Sequence, residues 1–144
     1  MNISLYEMFN SIYSSDSFSE DNIMLWYNVL LNSTLSTTRY LTDNYANVDF
    51  KVIGQEEKDG KIFRISEFVM ADKVIVHSVV EMSIANNPEK FIDLIRGQVE
   101  PIGDILRDYG YKIERKITYH DASTKEYEMV GDVNIKITEK YYNM

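Results

Sequence analysis

The stretch KIFRISEFVM (61–70), ADK (71–73) and VIVHSVVEMS (74–83) decides the fold. Two runs rich in β-branched and aromatic residues flank a short polar turn, the pattern of an antiparallel hairpin. Upstream, Val48–Ile53 has the same character and is joined to the first run through Glu57-Lys58-Asp59-Gly60, so three strands form a meander. Further upstream the period is helical. Ser14–Ser19 reads as a loop, Ser19 as an N-cap with Glu20 and Asp21 in the acidic first turn, and Ile23, Leu25, Trp26, Val29 and Leu30 as a wide apolar face. A second helix is expected from near Ser36–Thr38 to about Tyr45. Downstream, Asn87-Pro88-Glu89 starts a helix, with Asn87 as cap, Pro88 at the first helical position and Phe91, Leu94 and Ile95 on one face. A turn at Pro101-Ile102-Gly103 leads to a helical piece at Asp104–Asp108. Strands are then expected at Tyr111–His120, Glu126–Val130 and Val133–Tyr142, with Gly131-Asp132 as a hairpin turn. The order implies one α+β domain over residues 1–144, an antiparallel sheet of about six strands with helices covering one face.

Bulk properties narrow the function. The 144 residues suit a single core, and the chain has no cysteine, so disulfides and thiolate chemistry are excluded. Two histidines, His77 and His120, are too few for a His-rich metal site. No apolar run approaches the roughly 20 residues that span a bilayer, and the first residues lack the pattern of a signal peptide, so a cytoplasmic protein without membrane association is expected. A net charge of −8 argues against nucleic acid as partner. An acidic chain binds an anion only through a few cations and N–H groups in a shielded pocket. A small-molecule ligand is therefore expected, and a monomer is compatible with all of this.

Strand alternation makes some charges conspicuous. Glu139 shares a row with Val133, Ile135, Ile137 and Tyr141. Arg64 shares one with Ile62, Phe68 and Met70, although the opposite row of Phe63, Ile65 and Val69 is also apolar, which suggests a strand buried on both sides. His77 lies with Ile75 and Val79, and Arg115 with Tyr111, Ile113, Ile117 and Tyr119. Charges are rarely buried unless paired or used. Arg64 and Glu139 as a structural ion pair, Arg115 with its head lifted into solvent, and His77 as a hydrogen-bonded core residue form one reading. The other is an enclosed pocket with a cation at one end and a carboxylate at the other, suited to a ring bearing a carboxylate and a hydroxyl on opposite sides.

Four segments resemble the chorismate lyase family, and the similarity runs from about Leu30 to Tyr142. Ser36-Thr37-Thr38-Arg39 looks like the family's Ser-x-Thr segment, followed by the strand Val48-Asp49-Phe50. Ile62-Phe63-Arg64 looks like its arginine strand, with Ala71-Asp72 as the short turn after it. Pro101-Ile102-Gly103 before Ile105-Leu106 resembles its Pro-Leu-Gly turn, and Ile137-Thr138-Glu139 its Leu-Thr-Glu ending. Asp104 departs from the pattern, since a basic residue is common there. The resemblance implies that Arg64 holds the ring carboxylate of chorismate and Glu139 faces the ring hydroxyl. The N–H groups of Thr37 and Ile102 would help position the ligand. His77 stands where relatives can carry an arginine, and contact with the second carboxylate would make affinity depend on pH.

The implied reaction is the loss of pyruvate from chorismate to leave 4-hydroxybenzoate, a precursor for quinone synthesis or another aromatic route. Aromatisation supplies the driving force, so neither metal nor cofactor is expected. A planar arginine fork fixes a carboxylate in position and angle. A desolvated glutamate can exchange a proton with the ring hydroxyl or orient it. Ser36, Thr37 and Thr38 lack a nearby histidine signature for nucleophilic catalysis, and no phosphate loop or dinucleotide fingerprint is present. Two alternatives stay open: a non-catalytic effector-binding module of the related regulator-domain fold, and a lyase-like enzyme for another aromatic precursor.

Overall fold

Two polar turns fold the first three strands back on each other. Asp59 and Gly60 take left-handed backbone angles of 54° and 77°, and Ala71 and Asp72 take 51° and 62°, the paired positive φ values that two-residue hairpins require. The computed structural model describes residues 25–144. It contains α1 (Asn28–Leu31), α2 (Thr37–Asn44), β1 (Val48–Lys58), β2 (Lys61–Met70), β3 (Lys73–Ser83), α3 (Glu89–Arg96), α4 (Ile102–Tyr109), β4 (Ile113–His120), β5 (Thr124–Gly131) and β6 (Ile135–Tyr141). The strands form one six-stranded sheet in the order β1-β2-β3-β6-β5-β4, and every neighbouring pair is antiparallel. It is an α+β fold of two three-stranded meanders, joined where β3 and β6 pair from Val76 opposite Tyr141 to Met82 opposite Ile135.

One row of side chains is buried across the middle of the sheet. It comprises Ile62, Arg64, Ser66 and Phe68 on β2, Val76, Ser78, Val80 and Met82 on β3, Ile135, Ile137, Glu139 and Tyr141 on β6, and Lys125, Tyr127 and Met129 on β5. The row is apolar at both ends and polar between them. At one end Ile62, Val80, Met82, Met129, Ile135 and Ile137 pack with Phe91, Ile92 and Ile95 of α3 and Ile102, Ile105 and Leu106 of α4. At the other, Phe68, Val76 and Tyr141 pack with Tyr27, Leu30, Leu31 and Leu41. A belt of Arg64, Ser66, Ser78, Glu139 and Lys125 divides the two apolar clusters.

Several local expectations change. The loop at Ser14–Ser19, the cap at Ser19 and the helical residue Ile23 lie outside the described residues. The helix that is described there is the single turn α1, and Val29 stands 41% exposed rather than on the apolar face. Strand β2 is buried on one row only, since Ile65 and its β3 neighbour Val79 are about 40% exposed. Strand β1 runs to Lys58 because a bulge between Val52 and Gly54 lets it continue. Pro88 caps α3. Asn87 instead ties β3 to the start of β6: its amide donates to the Ser83 and Asn134 carbonyls at 2.7 and 3.0 Å, and its oxygen accepts from the Asn134 N–H at 2.7 Å. Among the described residues, no helix is long and apolar enough to cross a membrane.

Asn87→Ala removes three hydrogen bonds from a buried corner and leaves backbone groups unpaired. The expected loss is about 1–3 kcal/mol of unfolding free energy, read as a lower urea midpoint at unchanged slope.

Candidate functional site

Alternation along β6 turns Glu139 inward, between Ser78 of β3 and Lys125 of β5. The carboxylate is pinned through one oxygen. Oε1 accepts hydrogen bonds from the Thr37 hydroxyl and the Tyr141 hydroxyl, both at 2.7 Å. Thr37 reaches it because Ser36 caps α2, accepting from the Arg39 N–H at 3.2 Å, which sets the first turn of that helix against the sheet. Tyr141 is held by ring stacking on Tyr27, with centroids 5.4 Å apart. Burial, reinforced by the neighbouring carboxylate, pushes the Tyr141 hydroxyl far above the ordinary tyrosine range, so it serves as a donor.

Arg64 is 1% exposed and no ion pair joins it to a carboxylate among the described residues. Its Nε donates to Gln55 Oε1 at 2.8 Å, one terminal nitrogen to the Glu100 carbonyl and the other to the Ile95 carbonyl, each at 2.9 Å. Three of five N–H groups thus meet neutral acceptors, and two remain. Burial lowers its pKa to about 10, which keeps the guanidinium charged at neutral pH. Gln55 is a residue the sequence did not single out. The β1 bulge shifts the register so that Gln55 falls opposite Arg64, and its amide also donates to the Ile95 carbonyl at 2.9 Å. The structural ion pair between Arg64 and Glu139 is not formed, since each is anchored by its own neutral partners.

Two further cations stand near these groups. Lys125, 1% exposed, donates to the Leu30 carbonyl at 2.7 Å and the Ser33 carbonyl at 3.3 Å, and its nitrogen lies 5.0 Å from the Tyr127 ring centre. Burial pushes its pKa down while Glu139 draws it up. Arg115 is half-buried, and its Nε is buried without a hydrogen-bond partner. The buried Tyr127 hydroxyl interacts with both Glu139 and Arg115, and burial raises its pKa well above the usual value.

Arg64, Glu139, Thr37 and Ile102 line one cavity together with Ser66, Ser78, Tyr127 and Arg115. The first residues of α2 and of α4 both form part of its wall, so two helix N-termini add their partial positive charge. The cavity measures about 30 Å³, room for a water or two. Beside it α2 and α4 approach closely at Gly103, where a Cβ would come within 2.8 Å of Thr38. Beyond that contact lies an outer groove of about 360 Å³, which shares Ser36, Thr38, Gly103 and Arg115 with the cavity and adds Arg39, Asp104, Arg107 and Lys112. Among the described residues no cluster of three or more His, Cys, Asp or Glu side chains stands ready to hold a metal.

His77 is not in this site. It occupies the opposite row of β3, 36% exposed, facing its cross-strand neighbour Glu67 at 3.4 Å. Both rows of β3 are apolar in sequence, and Ser78 rather than His77 points to the belt. Compared with known proteins, the chain matches no family model and no curated sequence.

Titration of wild type and His77→Ala with 4-hydroxybenzoate, between about pH 5.5 and about pH 8.5, should give superimposable affinity profiles. A profile that moves with the substitution would return the histidine to the ligand.

Proposed function

We propose that the chain is a lyase of the chorismate lyase type, eliminating pyruvate from chorismate without a cofactor to leave 4-hydroxybenzoate. The observation that carries this reading is the charge balance of one enclosed site. Arg64 and Arg115 line it with a single carboxylate, Glu139, and the buried Lys125 stands beside Glu139 on β5, in a chain whose net charge is −8. Buried cations without counter-charge are costly, and a dianion offsets the excess. The sequence resemblance supports the choice of dianion.

In this reading the ring carboxylate meets the two remaining N–H groups of Arg64 and the first-turn N–H groups at Thr37 and Ile102. The ring hydroxyl meets Glu139 through Oε2, the oxygen that accepts neither the Thr37 nor the Tyr141 bond. The bond from the ring carbon to the enolpyruvyl oxygen then breaks, and that oxygen leaves with the electron pair. The neighbouring carbon, which bears the hydroxyl, loses its hydrogen as a proton, and the ring becomes aromatic. The departing enolate gains a proton and tautomerises to pyruvate. Glu139 orients the hydroxyl, and the cationic wall stabilises negative charge as the ether opens. The cavity is smaller than the substrate, so binding has to take up volume from the adjoining outer groove. The proposed setting is the cytoplasm, with the product passing to quinone synthesis or another aromatic route.

The test is incubation of pure protein with chorismate, following pyruvate and 4-hydroxybenzoate with a chelator present. Turnover indifferent to chelator is expected. Tight binding without turnover would make the protein a ligand-binding module instead. Glu139→Gln should lower kcat by about 10²–10³-fold with the fold intact. Arg64→Ala would strand the Glu100 carbonyl and the Gln55 side-chain oxygen, so Arg64→Lys is the cleaner variant, expected to raise KM by about 10–100-fold through loss of the fork. Wild-type kinetics in either variant would remove that residue from the reaction.

A further inference from the structure

We infer that Arg115 is the recognition point for a second acid group on the ligand, carried on an arm that points from the ring toward the outer groove. The inference rests on the reading that the cavity takes a carboxylated, hydroxylated ring, and it assigns the other end of that molecule.

The sheet order places the charges. Arg64 lies on β2, Glu139 on β6 and Arg115 on β4, so β6 is two strands from each arginine strand. At about 4.8 Å per strand, the two arginine strands flank Glu139 at about 10 Å on either side. Their side chains converge on the same cavity. Cations therefore stand on both sides of β6, toward its Ile135 end, since Arg64 is level with Ile137 and Arg115 with Ile135.

The two arginines are prepared differently. Arg64 is oriented by Gln55 and two backbone carbonyls. Arg115 has a buried Nε without a partner, and no ion pair joins it to a carboxylate among the described residues. The Tyr127 hydroxyl and the Lys125 ammonium interact with it and supply no negative charge at neutral pH, and the Glu139 carboxylate, which lines the same cavity and shares the Tyr127 hydroxyl with it, forms no ion pair with it. A desolvated guanidinium edge with an open donor matches a carboxylate.

Position sets the direction of the arm. Of the four residues common to the inner cavity and the outer groove, Arg115 alone carries charge. Other cations of the groove are already engaged: Arg39 lies 3.8 Å from Asp43, and Arg107 lies 3.2 Å from Asp104 and 3.0 Å from Asp108. Lys112 remains exposed at the rim. An acid reaching from the cavity to the groove thus passes Arg115 at the junction.

The experiment compares two ligands by calorimetry, 4-hydroxybenzoate and 3-(carboxymethoxy)-4-hydroxybenzoate, which adds a second acid on an ether arm beside the hydroxyl. Wild type should prefer the diacid by about ten-fold or more. Arg115→Gln should cut that preference to within about two-fold, by weakening the diacid much more than the monoacid. Arg115→Lys should keep an intermediate preference, and it decides the matter if Arg115→Gln does not fold. Equal weakening of both ligands, an unchanged preference in the variants, or no preference in wild type overturns the inference. Chorismate kinetics separate it from the reading beneath it. Turnover with KM unaltered in Arg115→Gln overturns the Arg115 assignment and keeps the lyase. An Arg115-dependent preference without turnover keeps the assignment and removes the lyase. No binding of either ligand to wild type overturns both.

Discussion

Everything about the site depends on the pairing of β3 with β6. Without it the sheet is two three-stranded meanders, each exposing the row that the pairing buries. Arg64 and Ser66 belong to one meander, Lys125, Tyr127 and Arg115 to the other, and Glu139 stands on the seam opposite Ser78. The pairing runs from Val76–Tyr141 to Met82–Ile135, so hydrophobic contacts at its two ends enclose the polar pair at Ser78–Glu139. Burial of the apolar ends is what forces the charged middle out of water.

That arrangement sets two kinds of charge apart. Surface pairs such as Arg96 with Glu57 and Lys61 with Glu81 are solvated and contribute little to stability. The interior cations instead meet neutral acceptors: carbonyls of Leu30 and Ser33 for Lys125, carbonyls of Ile95 and Glu100 for Arg64. Dipoles of this kind satisfy hydrogen bonds without cancelling the charge of the cations they hold. The Arg64 acceptors come from the end of α3 and the segment that leads to Pro101. The same chain segment that orients the cation also forms the cavity's wall at Ile102 and Gly103, so cation geometry and closure of the site are mechanically linked.

The α+β class, the strand order along the chain, the helix start near Ser36–Thr38 and the turn before α4 were legible because each rests on local period or turn chemistry. The clean alternation of β6 likewise marked Glu139 as a carboxylate on a buried row, with Tyr141 beside it. Arg64 was legible for the same reason, although its strand proved buried on one side only. His77 was misplaced because Ile75 and Val79 look as apolar as Val76 and Val80; alternation reports a period but not which row meets the helices. Gln55 was invisible because a bulge reverses the phase of β1 after Val52. Lys125 was overlooked because it preceded the expected start of its strand, and Arg115 because a long side chain on a partly apolar row ordinarily reaches water.

The sequence by itself determined which segments become strands and helices and which charges share a row with hydrophobic residues, since these follow from spacing along a few neighbouring residues. Only the tertiary structure decided that Arg64 and Glu139 are held separately, that Arg115 shares their cavity, that Lys125 stands beside Glu139, and that His77 lies on the other row. The reason is physical: a buried charge is defined by the groups that solvate it, and here those groups come from the distant ends of α1, α2 and α3 and from across the β3–β6 seam.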